Sequence, residues 1–235
     1  MEATYKLTLL LTRHPELTPD QFADAWLALE RHEPLLASGL ERYVFNRAIL
    51  GDSPIIGAPV APYDAVLETW WRRKNDAADC VVSREFESDW LAPRLELLAD
   101  RPAAVGGEPV LVWQRDETAS TDPVRVIVMP VARRSLRFGE FVEHWLGTHS
   151  KLALSGPGAQ ERLLRVENTP AAVSPPSRFV STRYDGIGAL TFVSPEALRA
   201  EFGSAYYGNV MVPDEARFTN TESSVAFVGQ PIDLT

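Results

Sequence analysis

Phe22-Ala-Asp-Ala-Trp26 is preceded by Tyr5-Lys-Leu-Thr-Leu-Leu10 and followed by Val44-Phe-Asn46 and Tyr63-Asp-Ala-Val66. The same series returns as Val124-Arg-Val-Ile-Val-Met129, Phe141-Val-Glu-His-Trp145, Val166-Glu-Asn168 and Tyr184-Asp-Gly-Ile187. The four landmarks keep their order at a displacement of about 120 residues, far longer than the roughly 20–50 residues of solenoid repeats, so the period describes a duplicated domain. The chain is therefore expected to hold a first repeat at 1–117, a polar linker ending in proline at 118–123, and a second repeat at 124–235.

Within the first repeat, Tyr5 to Leu11 reads as a strand that stops at Thr12-Arg-His-Pro15. Thr18-Pro19-Asp-Gln21 has the form of a capping box with proline at the first helical position. The helix it opens carries Phe22, Ala25, Trp26 and Leu29 on one face. Strands follow at Leu40 to Ile49 and Tyr63 to Trp71, separated by the Gly/Pro/Ser-rich loop Gly51 to Pro62. Ser83 to Ala99 has helical periodicity with a break expected at Pro93, and Val110-Leu-Val-Trp113 is expected to close the unit as its last strand. The second repeat gives strands at Val124 to Met129, Leu163 to Glu167, Tyr184 to Val193 and Ser224 to Val228. Its helices run from Phe138 to Thr148 and from Pro195, with Pro170 to Ser177 as the matching loop.

The order βαββαβ is the split-βαβ arrangement, whose antiparallel sheet is covered by helices on one face only. Apolar runs such as Leu7 to Leu11 and Val126 to Val131 call for burial on both faces. The expected fold is thus α+β, with two ferredoxin-like βαββαβ halves packed sheet to sheet as a fused pseudo-dimeric α+β barrel.

A formal charge of −9 and a pI near 5.0 argue against nucleic acid as a partner, since the densest basic groups are only Arg72-Arg-Lys74 and Arg133-Arg134. One cysteine, Cys80, excludes an intrachain disulfide and a multi-thiolate metal cluster. Neither a signal-peptide pattern nor an apolar run of roughly 20 residues occurs, so a cytoplasmic protein without membrane partners is expected. A homodimer is the one assembly left open.

Histidines occur at 14, 32, 144 and 149. His149 lies four residues after Trp145, so a continuing helix projects both toward the sheet, where an imidazole can act as general acid or base or sit as a satisfied helix-end cation. In the first repeat the position four after Trp26 is Glu30, while His32 is six after it, and both stand as candidates. His144 and His149 are five apart, about 140° around an α-helix, which is poor geometry for shared ligation. Tyr184 is a candidate hydroxyl donor to a developing oxyanion, and Tyr43 and Tyr63 could contribute further hydroxyls. Trp26, Trp145, Phe45 and Phe192 would give apolar walls to a substrate pocket or serve as core. No phosphate-loop or helical zinc motif is present, and nothing in the residues calls for a metal or cofactor.

With Leu17-Thr-Pro-x2-Phe22-x3-Trp26 in the first repeat and Phe141-x2-His-Trp145-x3-His149 in the second, the chain resembles the EthD-type branch of the dimeric α/β-barrel superfamily, present as a tandem duplication. Asn46, Asn168, Tyr63-Asp64 and Tyr184-Asp185 extend the likeness over nearly the whole chain. The resemblance implies a small pocket in each half, usually cofactor-free. It spans lactone isomerases, cyclases, dehydratases, cofactor-free monooxygenases and heme proteins built on fused copies. On it rests the expectation of a cofactor-independent lyase or isomerase acting on a small apolar aromatic or polyketide-like substrate. Alternatives are a cofactor-free monooxygenase, a heme-binding fused barrel holding heme through His149 or His32, and a non-catalytic ligand-binding protein.

Overall fold

The computed structural model describes residues 3–49, 51–115, 120, 122–171 and 178–235. The first half contributes β1 (Tyr5–Leu11), α1 (Pro19–His32), β2 (Leu40–Ala48), β3 (Ala65–Trp71), α2 (Lys74–Val82), a π-helical turn at Glu85–Leu91, α3 (Ala92–Leu95) and β4 (Ala103–Gly107). After β5 (Val110–Gln114), the second half contributes β6 (Val124–Met129), α4 (Phe138–Glu143), a π-helical turn at His144–His149, α5 (Ser150–Ser155), α6 (Ala159–Arg162) and β7 (Leu163–Pro170). It ends with β8 (Val180–Ser181), β9 (Gly186–Phe192), α7 (Pro195–Phe202), a third π-helical turn at Tyr207–Met211, α8 (Val212–Phe218) and β10 (Val225–Asp233). Thr118, Ala119 and Thr121 of the expected linker, and 172–177 of the expected second loop, lie outside the described residues.

The strands run β5-β7-β9-β6-β10-β2-β3-β1-β4-β8. Within this order β4-β1-β3-β2 and β10-β6-β9-β7 are each the antiparallel arrangement of a ferredoxin-like sheet. The fourth strand of each half then reaches the other half. β10 pairs through Val225–Gly229 with β6 and through Gly229–Asp233 with β2, while β5, just past β4, pairs with β7. Val110 to Trp113 therefore does not close the first unit, as its apolar run suggested; Ala103–Gly107 does, and Glu108-Pro109 breaks the ladder between them. At this seam a Cβ on Gly107 would stand 2.1 Å from the Pro170 carbonyl oxygen, so only glycine lets the halves meet.

Alternation along the strands sorts the core into layers. Tyr5, Leu7, Leu9 and Leu11 face Phe22, Trp26 and Trp90 of the first helical layer, and Val124 and Val126 face Ala159, Ala197 and Leu198 of the second. α1 begins where expected, because Gln21 N–H donates to Thr18 Oγ1 at 3.2 Å and Thr18 N–H to Gln21 Oε1 at 2.9 Å.

Between the sheets, one end is apolar, with Leu10, Val66, Ile127, Met129, Ile187 and Phe227. The other end is ionic, which the apolar runs did not predict. Lys6 Nζ lies 2.6 Å from Glu68 Oε1 and 2.8 Å from Glu167 Oε1. Arg125 meets Glu68 at 2.5 Å, and Arg165 meets Glu167 at 2.7 Å. Burial alone would raise both carboxyls. The Lys6 ammonium with the Arg125 guanidinium holds Glu68 well below the usual carboxylate range, and Lys6 with Arg165 lowers Glu167 to about 2.

Lys6→Met removes the cation shared by two buried carboxylates, at a cost of about 3–5 kcal/mol at pH 7. Urea denaturation reads this as a lower midpoint. Because both carboxyls are depressed in the fold, their contribution is complete above the unfolded value near 4.5 and lost as pH falls toward about 2. The gap between wild type and variant should close over that window; equal midpoints at pH 7 would show that the network contributes no stability.

Candidate active site

α4 passes without interruption into the π-helical turn His144–His149, whose wider winding brings residues five apart onto one side. This overrides the α-helical spacing that separated His144 from His149. Both imidazoles reach one carboxylate: His144 Nε2 is 2.9 Å from Asp214 Oδ1 and His149 Nδ1 is 3.0 Å from Asp214 Oδ2. Asp214 is buried at the start of α8, and the Phe218 ring one turn further along stands 4.9 Å from each imidazole ring. A carboxylate accepts only, so each bonded ring nitrogen donates, which leaves the Nε2 lone pair of His149 free to act as a base.

His149 lines a cavity of about 100 Å³ together with Trp145, Ser150, Asn168, Tyr207 and Glu215. Gly186 and Gly188 make room for the Trp145 indole, since a Cβ on Gly186 would fall 2.6 Å from its ring. Ser150 Oγ donates to the Trp145 carbonyl at 2.8 Å and accepts from Asn168 Nδ2 at 3.1 Å, fixing the wall. Ile55 and Ala58, from the loop between β2 and β3 of the other half, also line the cavity.

Burial lowers the His149 pKa below its ordinary 6.5, against the hydrogen bond and charge of Asp214, which raise it. Burial also pushes the Glu215 carboxyl up to about 7, and the Tyr207 hydroxyl at 3.3 Å only partly offsets this. The cavity thus holds a neutral imidazole beside a carboxyl that retains its proton to near neutrality, the separation expected of an acid and a base in one site.

The first half occupies the equivalent space with a reversed pair. Glu30 follows Trp26 by four residues as His149 follows Trp145, and Arg94 follows Pro93 as Asp214 follows Pro213. Arg94 Nε meets Glu30 Oε1 at 3.1 Å with both side chains buried, and its guanidinium lies 4.5 Å from the Trp90 ring and 5.6 Å from Trp26. Tyr43 donates to Glu30 at 2.5 Å, and Trp26 stacks on Phe45 at 6.0 Å.

Of the residues singled out in the sequence, the structure brings His149 and Trp145 together at the cavity. Glu30 is ion-paired to Arg94 within the first-half core, alongside Trp26, Tyr43 and Phe45. His32 is exposed at the end of α1. Tyr184 lies between the sheets, where its hydroxyl meets that of Tyr63 at 3.3 Å across the pseudo-twofold, away from His149. Phe192 packs on Phe202 behind the cavity wall. Asp214, Glu215 and Tyr207 went unrecognised because the third π-helical turn and α8 were not anticipated. The shared Pro93 and Pro213 were the available signal.

Residues 133–222 match the EthD domain family. The matched stretch lies in the second half and includes His144, His149, Asp214 and Glu215, and no curated protein matches the chain. Among solved structures, the fold is similar to an anthrone oxidase-like protein, with a TM-score of 0.66 and 12% identity over 99% of this chain and 92% of that one. A candidate monooxygenase of Lactobacillus acidophilus NCFM gives 0.56 and 10% over 100% and 95%. Chlorite dismutase of Candidatus Nitrospira defluvii gives 0.54 and 11% over 98% and 92%. These structures share the fold of this chain, and their names are those of enzymes or enzyme-like proteins. Their names speak of oxidase, monooxygenase and dismutase activity, which overturns the expectation of a lyase or isomerase.

Of the two histidines considered for heme, His149 lines the cavity of about 100 Å³ and His32 faces solvent. Among the described residues no three His, Cys, Asp or Glu side chains gather as a metal site, and no helix is long and apolar enough to cross a membrane.

Asp214→Asn removes the charge that raises the His149 pKa while burial persists. An NMR titration of the imidazole should place wild-type His149 below 6.5 and the variant lower still. An unchanged or higher value in the variant would show that Asp214 does not govern this ring.

Proposed function

We propose that the EthD half of the chain is a monooxygenase whose substrate serves as its own reductant. The observation that carries this reading is the His149–Asp214 pair: the carboxylate fixes the imidazole through Nδ1 and leaves Nε2 as a base in an apolar cavity. The substrate class is a small aromatic carbon acid, a ring bearing a C–H acidified by a carbonyl or phenol. The cavity of about 100 Å³ is smaller than the ~150 Å³ that admits benzene, so a single ring enters it only with adjustment of the walls.

His149 Nε2 takes the C–H proton, and the protonated Glu215 donates a hydrogen bond to the substrate oxygen on which charge collects. The resulting carbanion passes an electron to dioxygen, and the radical pair joins as a C–O–O anion that recovers the proton from His149. Loss of the second C–H proton with cleavage of the O–O bond leaves a carbonyl and one water. A methylene and dioxygen thus become a carbonyl and water, and the four electrons that reduce dioxygen all come from the carbon. Repeats 1–117 and 124–235 divide the labour: the first is a scaffold with a filled pocket, and the second holds the reaction chamber.

Oxygen uptake and incorporation of ¹⁸O from labelled dioxygen are measured with a panel of single-ring phenols, hydroquinones and benzylic ketones. Label is expected in the product carbonyl. His149→Ala should lower kcat/KM by roughly 10²–10⁴-fold. Product formation without oxygen uptake, or full turnover by His149→Ala, would overturn the reading. The base requires His149 deprotonated, giving an acid limb below pH 6.5, and the acid requires Glu215 protonated, giving an alkaline limb near 7. Glu215→Gln keeps a donor that cannot ionise, so its profile should lose only the alkaline limb.

A further inference from the structure

Beside the cavity lies an open groove of about 570 Å³ that shares Thr219 and Thr221 with it and is otherwise lined by Arg133, Arg134, Ser135, Ala216, Asn220 and Glu222. The two spaces are therefore neighbours across Thr219 and Thr221, and the groove is the nearest outer space to a ligand longer than the cavity. Their chemistry differs. The inner space is apolar around His149, whereas the outer one offers two guanidinium groups against one carboxylate in a chain whose net charge is −9. The overall field repels anions, so any affinity for an anion here must come from these local donors.

Arg133 is tied to the site on both its backbone and its side chain. Its N–H donates to the Phe218 carbonyl at 2.9 Å, and one guanidinium nitrogen donates to the Ala216 carbonyl at 2.9 Å. Phe218 is the ring that packs on His149, so the arginine is held at a fixed offset from the proposed base. A guanidinium has five N–H donors, and the bond to Ala216 leaves others to meet a planar carboxylate in fork geometry.

We infer that this groove seats a carboxylate-bearing arm of the ligand, so that the substrate is an aryl carboxylic acid with its ring in the cavity and its anionic end at Arg133 and Arg134. The inference rests on the cavity being the reaction chamber proposed above and adds the charge and shape of what enters it. An arm in the groove would fix which C–H of the ligand faces His149.

Isothermal titration calorimetry compares 3-phenylpropionate with the isosteric 3-phenylpropanamide. The carboxylate is expected to bind roughly five- to tenfold more tightly at low salt, an advantage that shrinks as ionic strength rises. In Arg133→Gln/Arg134→Gln, both positions being exposed, the melting temperature should hold while the two ligands become equal. Glu222→Gln should widen the preference. Equal affinities in the wild type, a preference that survives loss of both arginines, or binding of neither ligand would overturn the inference. The readout is independent of turnover: a carboxylate preference without oxygen uptake sinks the oxygenase alone, and oxygen uptake without the preference sinks the anion seat alone.

Discussion

A four-stranded sheet covered by helices on one side has a second face that must be kept from water, and here each half covers the other's. The fourth strands make this arrangement close. β10 runs on from its own sheet to β2, and the chain beyond β4 runs on as β5 to β7. The sheet edges that would be left open at β2 and β7 are thereby paired, which removes the exposed ladder that invites association between chains. The shared interior is apolar at one end and ionic at the other. Register between the halves follows from that division, because a slip would set Lys6 or Glu167 against the apolar end without a partner.

With the halves held this way, the two pockets can diverge without disturbing the barrel. At the position four after the helical tryptophan and the position after the shared proline, the first half has an acid and a base, and the second has a base and an acid. The reversal keeps a buried, hydrogen-bonded acid–base pair in each half but changes its bulk and chemistry. Arg94 is long, reaches the Trp90 and Trp26 rings, and its guanidinium is spent on Glu30 and the carbonyls of Trp90 and Glu33. Asp214 is short, so the space beyond it stays open and the imidazole of His149 keeps one nitrogen uncommitted.

The duplication, the ferredoxin-like halves and their face-to-face packing were legible because they rest on strand alternation, a capping box and repeated landmarks, all of which are local patterns. The strand that closes the first half was not. Val110-Leu-Val-Trp113 is the more apolar run, whereas Ala103-Ala-Val-Gly-Gly107 owes its place to close approach at the seam, and small residues carry little pattern. The site was half legible. His149 and Trp145 stand out through helical spacing, but Asp214 and Glu215 sit on α8, directly after a π-helical turn at Tyr207–Met211 whose winding departs from 3.6 residues per turn. Tyr184 reads as a strand tyrosine, yet it stands just ahead of β9, where its hydroxyl meets that of its own repeat, Tyr63, just ahead of β3.

The same departure in winding bears on the chemistry. In an ordinary α-helix, residues 144 and 149 diverge, and Asp214 could hold one imidazole only. The π-helical turn lets a single carboxylate accept from both, so it is anchored by His144 and cannot swing away when His149 takes up a proton. An anchored counter-charge is what a base needs if it must keep a proton while a slow electron transfer to dioxygen takes place elsewhere on the substrate. A lyase returns its proton at once and gains less from such restraint. The double hold on Asp214 is therefore better suited to an intermediate that must persist in an enclosed, apolar chamber than to rapid proton shuttling.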